Sequence, residues 1–140
     1  MLHREPTTAP EYIYPVDPWR IVEKRFAPEY LEQTETFFAL SNGYLGIRGS
    51  FEEGRPVIQS GTFVNGFHET WPIPYGETAY GFAQTGQTML NVTDAKLLRL
   101  FVDDEPFAPT FAHMLHYERA LDMRRGILER TVLWEPPAGK

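Results

Sequence analysis

The sequence predicts an all-β fold, specifically an antiparallel β-sandwich, from three observations. Short apolar stretches alternate with polar residues at the period of two that a half-buried strand requires. Gly, Pro, Asn and Asp interrupt the chain roughly every ten residues, which is the spacing of turns between short strands. No stretch shows the apolar spacing of an amphipathic helix. Many short strands with frequent turns are typical of a sandwich.

The first segments follow from proline content and alternation. Residues 1–18 are rich in proline and lack periodicity, so they predict a flexible or extended lead-in. WRIVEKRF (19–26) alternates apolar and polar side chains, which favours a strand with one buried face. Residues 28–41 could begin as a helical turn, but residues 34–40 contain β-branched and aromatic side chains, which favour a strand.

SNGYLGIRG is predicted to be a tight hairpin and a packing element. Asn42 and Gly43 separate two apolar runs, and both tolerate a positive φ, so the pair predicts a type I′ turn. Gly46 and Gly49 in the return strand indicate a bulge or a close backbone neighbour. The same glycines match neither of the two common phosphate-binding loops, so a packing role is preferred.

Arg48, in the same stretch, is interpreted as structural. It is expected to pair with a nearby carboxylate, either Glu35 or Glu53. Asn42, Gly43, Arg48 and Gly49 are therefore predicted to stabilise the fold and to take no part in chemistry.

The second half predicts further strands and a closing hairpin. RPVIQSGTFVNGF reads as a strand pair or as one long strand with a glycine break. DDEP is a turn, and residues 122–126 form the turn of the last hairpin. The remaining predicted strands cover residues 88–92, 96–102, 114–121 and 127–134.

Between these strands, residues 68–82 are predicted to be a long aromatic loop. Loops of this length in a compact domain are usually functional or interfacial. His68, Trp71, Tyr75 and Tyr80 are its candidate functional residues. Aromatic faces stack on sugar rings, and the same composition suits a protein interface. The interface is preferred, with a sugar-binding rim as the alternative.

Composition and charge exclude several classes of function. The net charge is −6, with 13 basic and 19 acidic residues and no basic stripe, which argues against nucleic acid or an anionic membrane as a partner. The absence of cysteine excludes disulfides, zinc–thiolate sites and thiol nucleophiles. No apolar run is long enough to span a bilayer, and the first residues lack the apolar core of a signal peptide, so a cytoplasmic protein is expected.

No complete active site is visible in the sequence. Glu52 and Glu53 are adjacent and would point to opposite faces of a strand, which makes a poor acid–base pair. His113 and His116 would also diverge on a strand, and no third ligand is evident. No catalytic residue, metal ligand or cofactor is therefore predicted.

Several motifs together carry a resemblance to a known family. ETFFALSNGYLGIRGSFEEG, SGTFVNGFHE, GQTMLNV, LFVDDEPF and YERALDMRRGILERTVLW occur in one order along the chain. In that order they resemble the N-terminal region of glycoside hydrolase family 65, which includes maltose, trehalose and kojibiose phosphorylases and acid trehalases. The similarity runs from about Trp19 to Lys140. Ser41 departs from the pattern, because members often have glycine there.

The resemblance implies an architecture and an activity that lie mostly outside this chain. It implies an N-terminal sandwich of the galactose mutarotase-like supersandwich type, of which residues 19–140 would supply only part, followed by a catalytic (α/α)₆ barrel. A glutamic acid on the barrel would protonate the glycosidic oxygen while phosphate attacks an α-linked glucose disaccharide with inversion. The implied partners are that disaccharide, inorganic phosphate, the absent barrel and a second subunit in a homodimer. The chain alone is expected to be inactive.

Overall fold

A computed structural model of the protein describes residues 10–136. Over that range the chain forms nine β-strands, one 3₁₀ turn and one short α-helix. In chain order these are β1 (Arg20–Glu23), the 3₁₀ turn (Pro28–Tyr30), α1 (Leu31–Phe37), β2 (Leu40–Ser41), β3 (Leu45–Ile47), β4 (Thr62–Pro72), β5 (Thr85–Asn91), β6 (Phe101–Val102), β7 (Glu105–Pro106), β8 (His113–Asp122) and β9 (Ile127–Glu135).

The strands of the described range form three sheets, and every pairing is antiparallel. One sheet has the order β1-β8-β9, the second has the order β2-β3-β4-β5, and the third is the small hairpin β6-β7. Most connections are local hairpins, but β1 pairs with the distant β8. The all-β antiparallel prediction is therefore confirmed.

The segment 34–40 was predicted to be a strand, and this is wrong, because α1 covers most of it. Leu31, Thr34 and Glu35 are buried, and their spacing places them on one face of a helix. The Thr34 hydroxyl donates to the Leu31 carbonyl at 3.0 Å, which satisfies a buried polar group inside the helix. Burial of this face outweighs the strand preference of the individual residues.

The predicted hairpin at Asn42-Gly43 is confirmed, but its turn type is different. The two central residues are Gly43 and Tyr44, and only Gly43 has a positive φ, at 82°. Asn42 instead precedes the turn, and its Oδ1 accepts the backbone N–H groups of Tyr44 and Leu45 at 3.0 and 2.8 Å. A positive φ at the first central residue alone is the pattern of a type II′ turn.

Two boundaries in the middle of the chain also differ from the prediction. The strand β4 continues to Pro72, so the long loop begins at Ile73 rather than at His68. The predicted strand over residues 96–102 is reduced to β6. The rest of that segment is held by single backbone hydrogen bonds, from Leu98 N to Glu52 O and from Phe107 N to Leu100 O, both 2.8 Å.

The closing hairpin is confirmed in both strands and in its turn. Register pairs run from His113↔Glu135 to Asp122↔Ile127, with one irregularity near Leu115. The Asp122 carboxylate closes the turn by accepting backbone N–H groups of the residues that follow it.

The predicted lead-in reaches from residue 1 to 18, and the structure describes it from residue 10 onward. Ile13 is fully buried, and its carbonyl accepts the N–H of Lys24 at 2.8 Å. Tyr14 packs edge-on against Tyr30, with ring centroids 5.8 Å apart. The Tyr14 hydroxyl also donates to the Glu23 carboxylate, so residues 10–18 make defined contacts with the end of β1, with Lys24 after it and with the 3₁₀ turn.

The hydrophobic core brings the β1-β8-β9 sheet against α1 and the loop that follows β3. Leu31, Phe51 and Tyr117 form its buried centre, and Phe26 packs edge-on against Phe51 at 5.6 Å. Partly buried Val132 extends the contact onto β9.

Candidate functional site

The predicted aromatic residues lie on a two-stranded ribbon. The last backbone contact of β4 with the β2-β3 hairpin is the bond from Asn65 N to Tyr44 O at 2.8 Å, and among the described residues the rest of β4 pairs with β5 alone. A register shift follows Phe63, and Gly66 has a φ of 82° within it. We name residues 66–89 the aromatic ribbon. Nearly every residue of its two strands is exposed, and an isolated two-stranded ribbon is marginally stable in water.

The structure does not bring the four candidate residues onto one surface. His68 and Trp71 are three positions apart in a regular part of β4, so their side chains point to opposite faces. Tyr75 packs against Phe82 with ring centroids 4.9 Å apart. Tyr80 is completely exposed.

The Trp71 side chain packs against the neighbouring strand, β5. Its indole lies directly over Gly86, where an added Cβ would be 2.5 Å from Cε2 of the ring. The side chain nevertheless remains 42% exposed. Trp71 therefore presents a half-exposed aromatic surface, which is the kind of surface that a sugar ring or an apolar protein side chain can cover.

Arg48 belongs to a buried polar node centred on Glu35. Its guanidinium lies 3.7 Å from the Glu35 carboxylate, one of the two partners considered for it. That carboxylate is fully buried and accepts the N–H groups of Ile58 and Gln59 at 2.8 and 2.9 Å. The other partner considered, Glu53, instead binds Arg130 at 2.9 Å. The node fixes α1 to the loop at residues 58–59.

Gly49, just after β3, lies close to Phe38 at the end of α1. An added Cβ would be 2.6 Å from the Phe38 Cβ and 2.8 Å from the Phe38 carbonyl carbon. Gly46 has no such neighbour, since its nearest contact would be 3.7 Å away. Of these two glycines, Gly49 has the close backbone neighbour.

The sequence reasoning missed a buried charged cluster between β1 and β8. Glu23 and Arg119 are each 1% exposed and stand opposite one another in the strand pairing. The Glu23 carboxylate accepts the hydroxyls of Tyr14 and Tyr117 at 3.0 and 2.7 Å. The Arg119 Nη2 donates to the Gly49 carbonyl at 2.6 Å. No sequence signal marks this pair, because its partners lie on strands far apart in the chain.

Burial sets the electrostatics of this cluster. Desolvation is the largest effect on Glu23, and it raises the pKa of the carboxyl group. The hydrogen bonds from Tyr117 and Tyr14 and the positive charge of Arg119 lower the same pKa by a smaller amount. Desolvation likewise lowers the pKa of Arg119. The guanidinium is enclosed by aromatic rings, with Cζ 4.6 Å from the Phe38 centroid and 4.8 Å from that of Phe51. Because Glu23, Tyr117 and Arg119 are buried, we interpret the role of the cluster as structural.

Residues 10–136 contain no group of three or more His, Asp or Glu side chains placed to hold a metal ion. Within the same residues, no helix has the length and apolarity to cross a membrane.

The fold defines an all-β antiparallel domain, and comparison with known proteins assigns it to a family. The family model for the N-terminal domain of glycosyl hydrolase family 65 matches residues 21–140. The chain therefore belongs to glycoside hydrolase family 65, and residues 21–140 match its N-terminal domain.

Relatives with assigned and unassigned activities share this region. The chain is 46% identical over 130 residues to an uncharacterized glycosyl hydrolase of Mycobacterium leprae, covering 93% of this chain and 16% of the relative. It is 48% identical over 132 residues to an alpha,alpha-trehalose phosphorylase of Thermoanaerobacter brockii, covering 91% of this chain and 17% of the relative. These relatives are thus several times longer than this chain.

A solved structure agrees with the fold. A chain named "Putative kojibiose phosphorylase from human microbiome" superposes with a TM-score of 0.72 at 29% identity, covering 87% of this chain and 16% of that chain. The antiparallel β fold found here thus matches a solved relative of the same family.

Proposed function

We propose that this chain is a non-catalytic part of a cytoplasmic, homodimeric family 65 enzyme that acts on α-glucosides. The family match over residues 21–140 carries the proposal. Relatives named as trehalose and kojibiose phosphorylases support an α-linked glucose disaccharide and inorganic phosphate as substrates of the whole enzyme. In that enzyme this part serves as a scaffold and shapes the rim of a site located elsewhere.

The chemistry of the whole enzyme needs groups that lie outside this chain. In an inverting phosphorolysis, a carboxylic acid protonates the glycosidic oxygen while phosphate attacks the anomeric carbon from the opposite face, giving β-glucose 1-phosphate. Phosphate replaces the attacking water, so no general base and no cofactor are required. Glu23 and Glu35 are the two most buried carboxylates described here, and both are closed to a sugar.

An activity assay tests the non-catalytic role. The purified chain, incubated with trehalose, kojibiose or maltose and inorganic phosphate, is expected to release no glucose 1-phosphate. A chimera in which this chain replaces the aligned residues of the T. brockii trehalose phosphorylase is expected to release it from trehalose. Phosphate-dependent product from the chain alone would overturn the proposal.

A carbohydrate-binding module is the second candidate, and the half-exposed indole of Trp71 favours it. If it is correct, titration with maltose, trehalose or kojibiose should change the tryptophan fluorescence in a saturable way, and Trp71→Ala should abolish the change. Trp19→Phe is the matched control, because Trp19 is also half-exposed but is covered by Arg124 at 4.4 Å. Absence of a saturable signal at millimolar sugar would end this alternative.

A further inference from the structure

Two arginines stand out among the basic side chains of the described residues. The other lysines and arginines between residues 10 and 136 each have a side-chain hydrogen bond, an ion pair or an aromatic contact. Arg55 and Arg99 have none of these within that range. Both are exposed, and both line the same groove. Among the described residues, neither guanidinium in this groove therefore forms an ion pair with a carboxylate.

The walls of the groove are apolar. Phe101, Pro106 and Phe107 line it beside the two arginines. The acidic side chain in the lining, Glu53, is engaged by Arg130 through Nη1 at 2.9 Å. The groove thus combines two arginine side chains with an apolar lining, and the one carboxylate among its lining residues is bound by Arg130.

An exposed apolar strip continues from the groove along residues 97–101. Leu97, Leu98, Leu100 and Phe101 are between 51% and 69% exposed. The backbone of the strip is fixed by hydrogen bonds from Leu98 N to Glu52 O and from Phe107 N to Leu100 O. An exposed apolar strip on a fixed backbone is the kind of surface that another protein segment can cover.

We propose that this groove and the 97–101 strip form a docking surface for a polypeptide segment that the longer relatives carry outside the matched region. Apolar side chains of that segment would cover the strip, and its carboxylates would pair with Arg55 and Arg99. The inference rests on the proposed function, and it names the chemistry by which this part is joined to the rest of the enzyme.

Charge and length both favour this occupant. Covering the strip with protein would remove water from the adjacent guanidinium groups, and a charge taken out of water needs an opposite charge. Carboxylate oxygens match the planar fork of arginine. A small free anion would satisfy the arginines but would leave the leucines of the strip in water. The relatives supply the required polypeptide, because this chain spans only 16–17% of their length.

The proposal is tested by replacing the two arginines with neutral side chains, both in a full-length chimera and in the isolated chain. Arg55→Gln/Arg99→Gln is made in the chimera with the T. brockii trehalose phosphorylase and in the 140-residue chain. In the chimera, the double variant is expected to lower the melting temperature by about 3 °C or more. In the chain alone it should leave the melting temperature unchanged, because neither arginine has a partner among residues 10–136. Leu98→Ser should likewise lower the melting temperature of the chimera and leave that of the chain alone unchanged.

The matched control is Arg125→Gln, on the exposed turn between β8 and β9, where the arginine makes only surface ion pairs. It should have an equal, small effect in both contexts. If the double variant behaves like this control in a folded, active chimera, the docking proposal is overturned and the proposed function stands. A chimera that fails to fold contradicts the proposed function and so overturns both.

Two further outcomes would identify a different occupant. If inorganic phosphate raises the melting temperature of the chain alone, and the double variant abolishes this rise, the groove is a small-anion site. If sedimentation of the chain alone shows a dimer that the double variant dissociates, the occupant is a second copy. Either result would overturn docking to the longer polypeptide.

Discussion

Replacing Arg119 with alanine is expected to lower the free energy of unfolding by about 3–5 kcal/mol. Arg119 is 1% exposed and donates to the Gly49 carbonyl at 2.6 Å. Its removal leaves that carbonyl without its donor, and it leaves the buried Glu23 without the cation opposite it on β8. It also empties the space between the rings of Phe38 and Phe51. These losses act on the same buried region, so they should produce one of the largest effects of any single substitution.

Urea denaturation followed by circular dichroism measures this effect. Arg119→Lys should give an intermediate loss, because it keeps the charge but lacks the planar fork and the stacking surface. Arg125→Ala, on the exposed turn, should cost less than about 1 kcal/mol. Combining Arg119→Met with Glu23→Gln should recover part of the loss, since the two sites interact. A loss for Arg119→Ala no larger than that for Arg125→Ala would contradict the structural role of the cluster.

The elements that sequence reasoning predicted well are those whose determinants are local. The closing hairpin follows from a turn whose Asp122 and Gly126 lie within a few residues of both strands. The hairpin at Gly43 was found for the same reason. Its turn type was wrong because Asn42 uses its side chain to bind the backbone rather than adopting a positive φ.

The parts that were missed depend on contacts between distant segments. The helix α1 contains residues that favour strands, and it forms because Leu31, Thr34 and Glu35 are buried against the sheet and the following loop. The Glu23–Arg119 pair exists only after β1 joins β8. In the aromatic ribbon, the composition of the sequence identified Trp71 as a candidate functional residue. The face of the ribbon on which its side chain lies depends on β4 continuing to Pro72, which the sequence did not predict.

Gly49→Ala is expected to lower the free energy of unfolding by about 3 kcal/mol. The φ of Gly49 lies outside the left-handed region, so the cost is steric rather than conformational. The new Cβ would lie 2.6–2.9 Å from Phe38, partly against backbone atoms. Gly49 cannot move away, because its N–H donates to the Glu35 carbonyl at 2.7 Å and its own carbonyl accepts from Arg119. The substitution must therefore shift the end of α1 or break one of these bonds.

Alanine substitutions at two other glycines test whether the loss at Gly49 comes from the clash with Phe38 or from replacing any glycine with alanine. Gly46→Ala, in the same stretch, meets nothing closer than 3.7 Å, and it should change the free energy of unfolding by less than about 0.5 kcal/mol. Gly86→Ala would place its Cβ 2.5 Å from an atom of Trp71, but that atom belongs to a half-exposed side chain that can rotate into solvent. Its cost should fall well below that of Gly49→Ala, with a change in tryptophan fluorescence as the ring moves. Equal losses at all three positions, measured by urea denaturation, would show that the fixed backbone contact at Phe38 is not the cause.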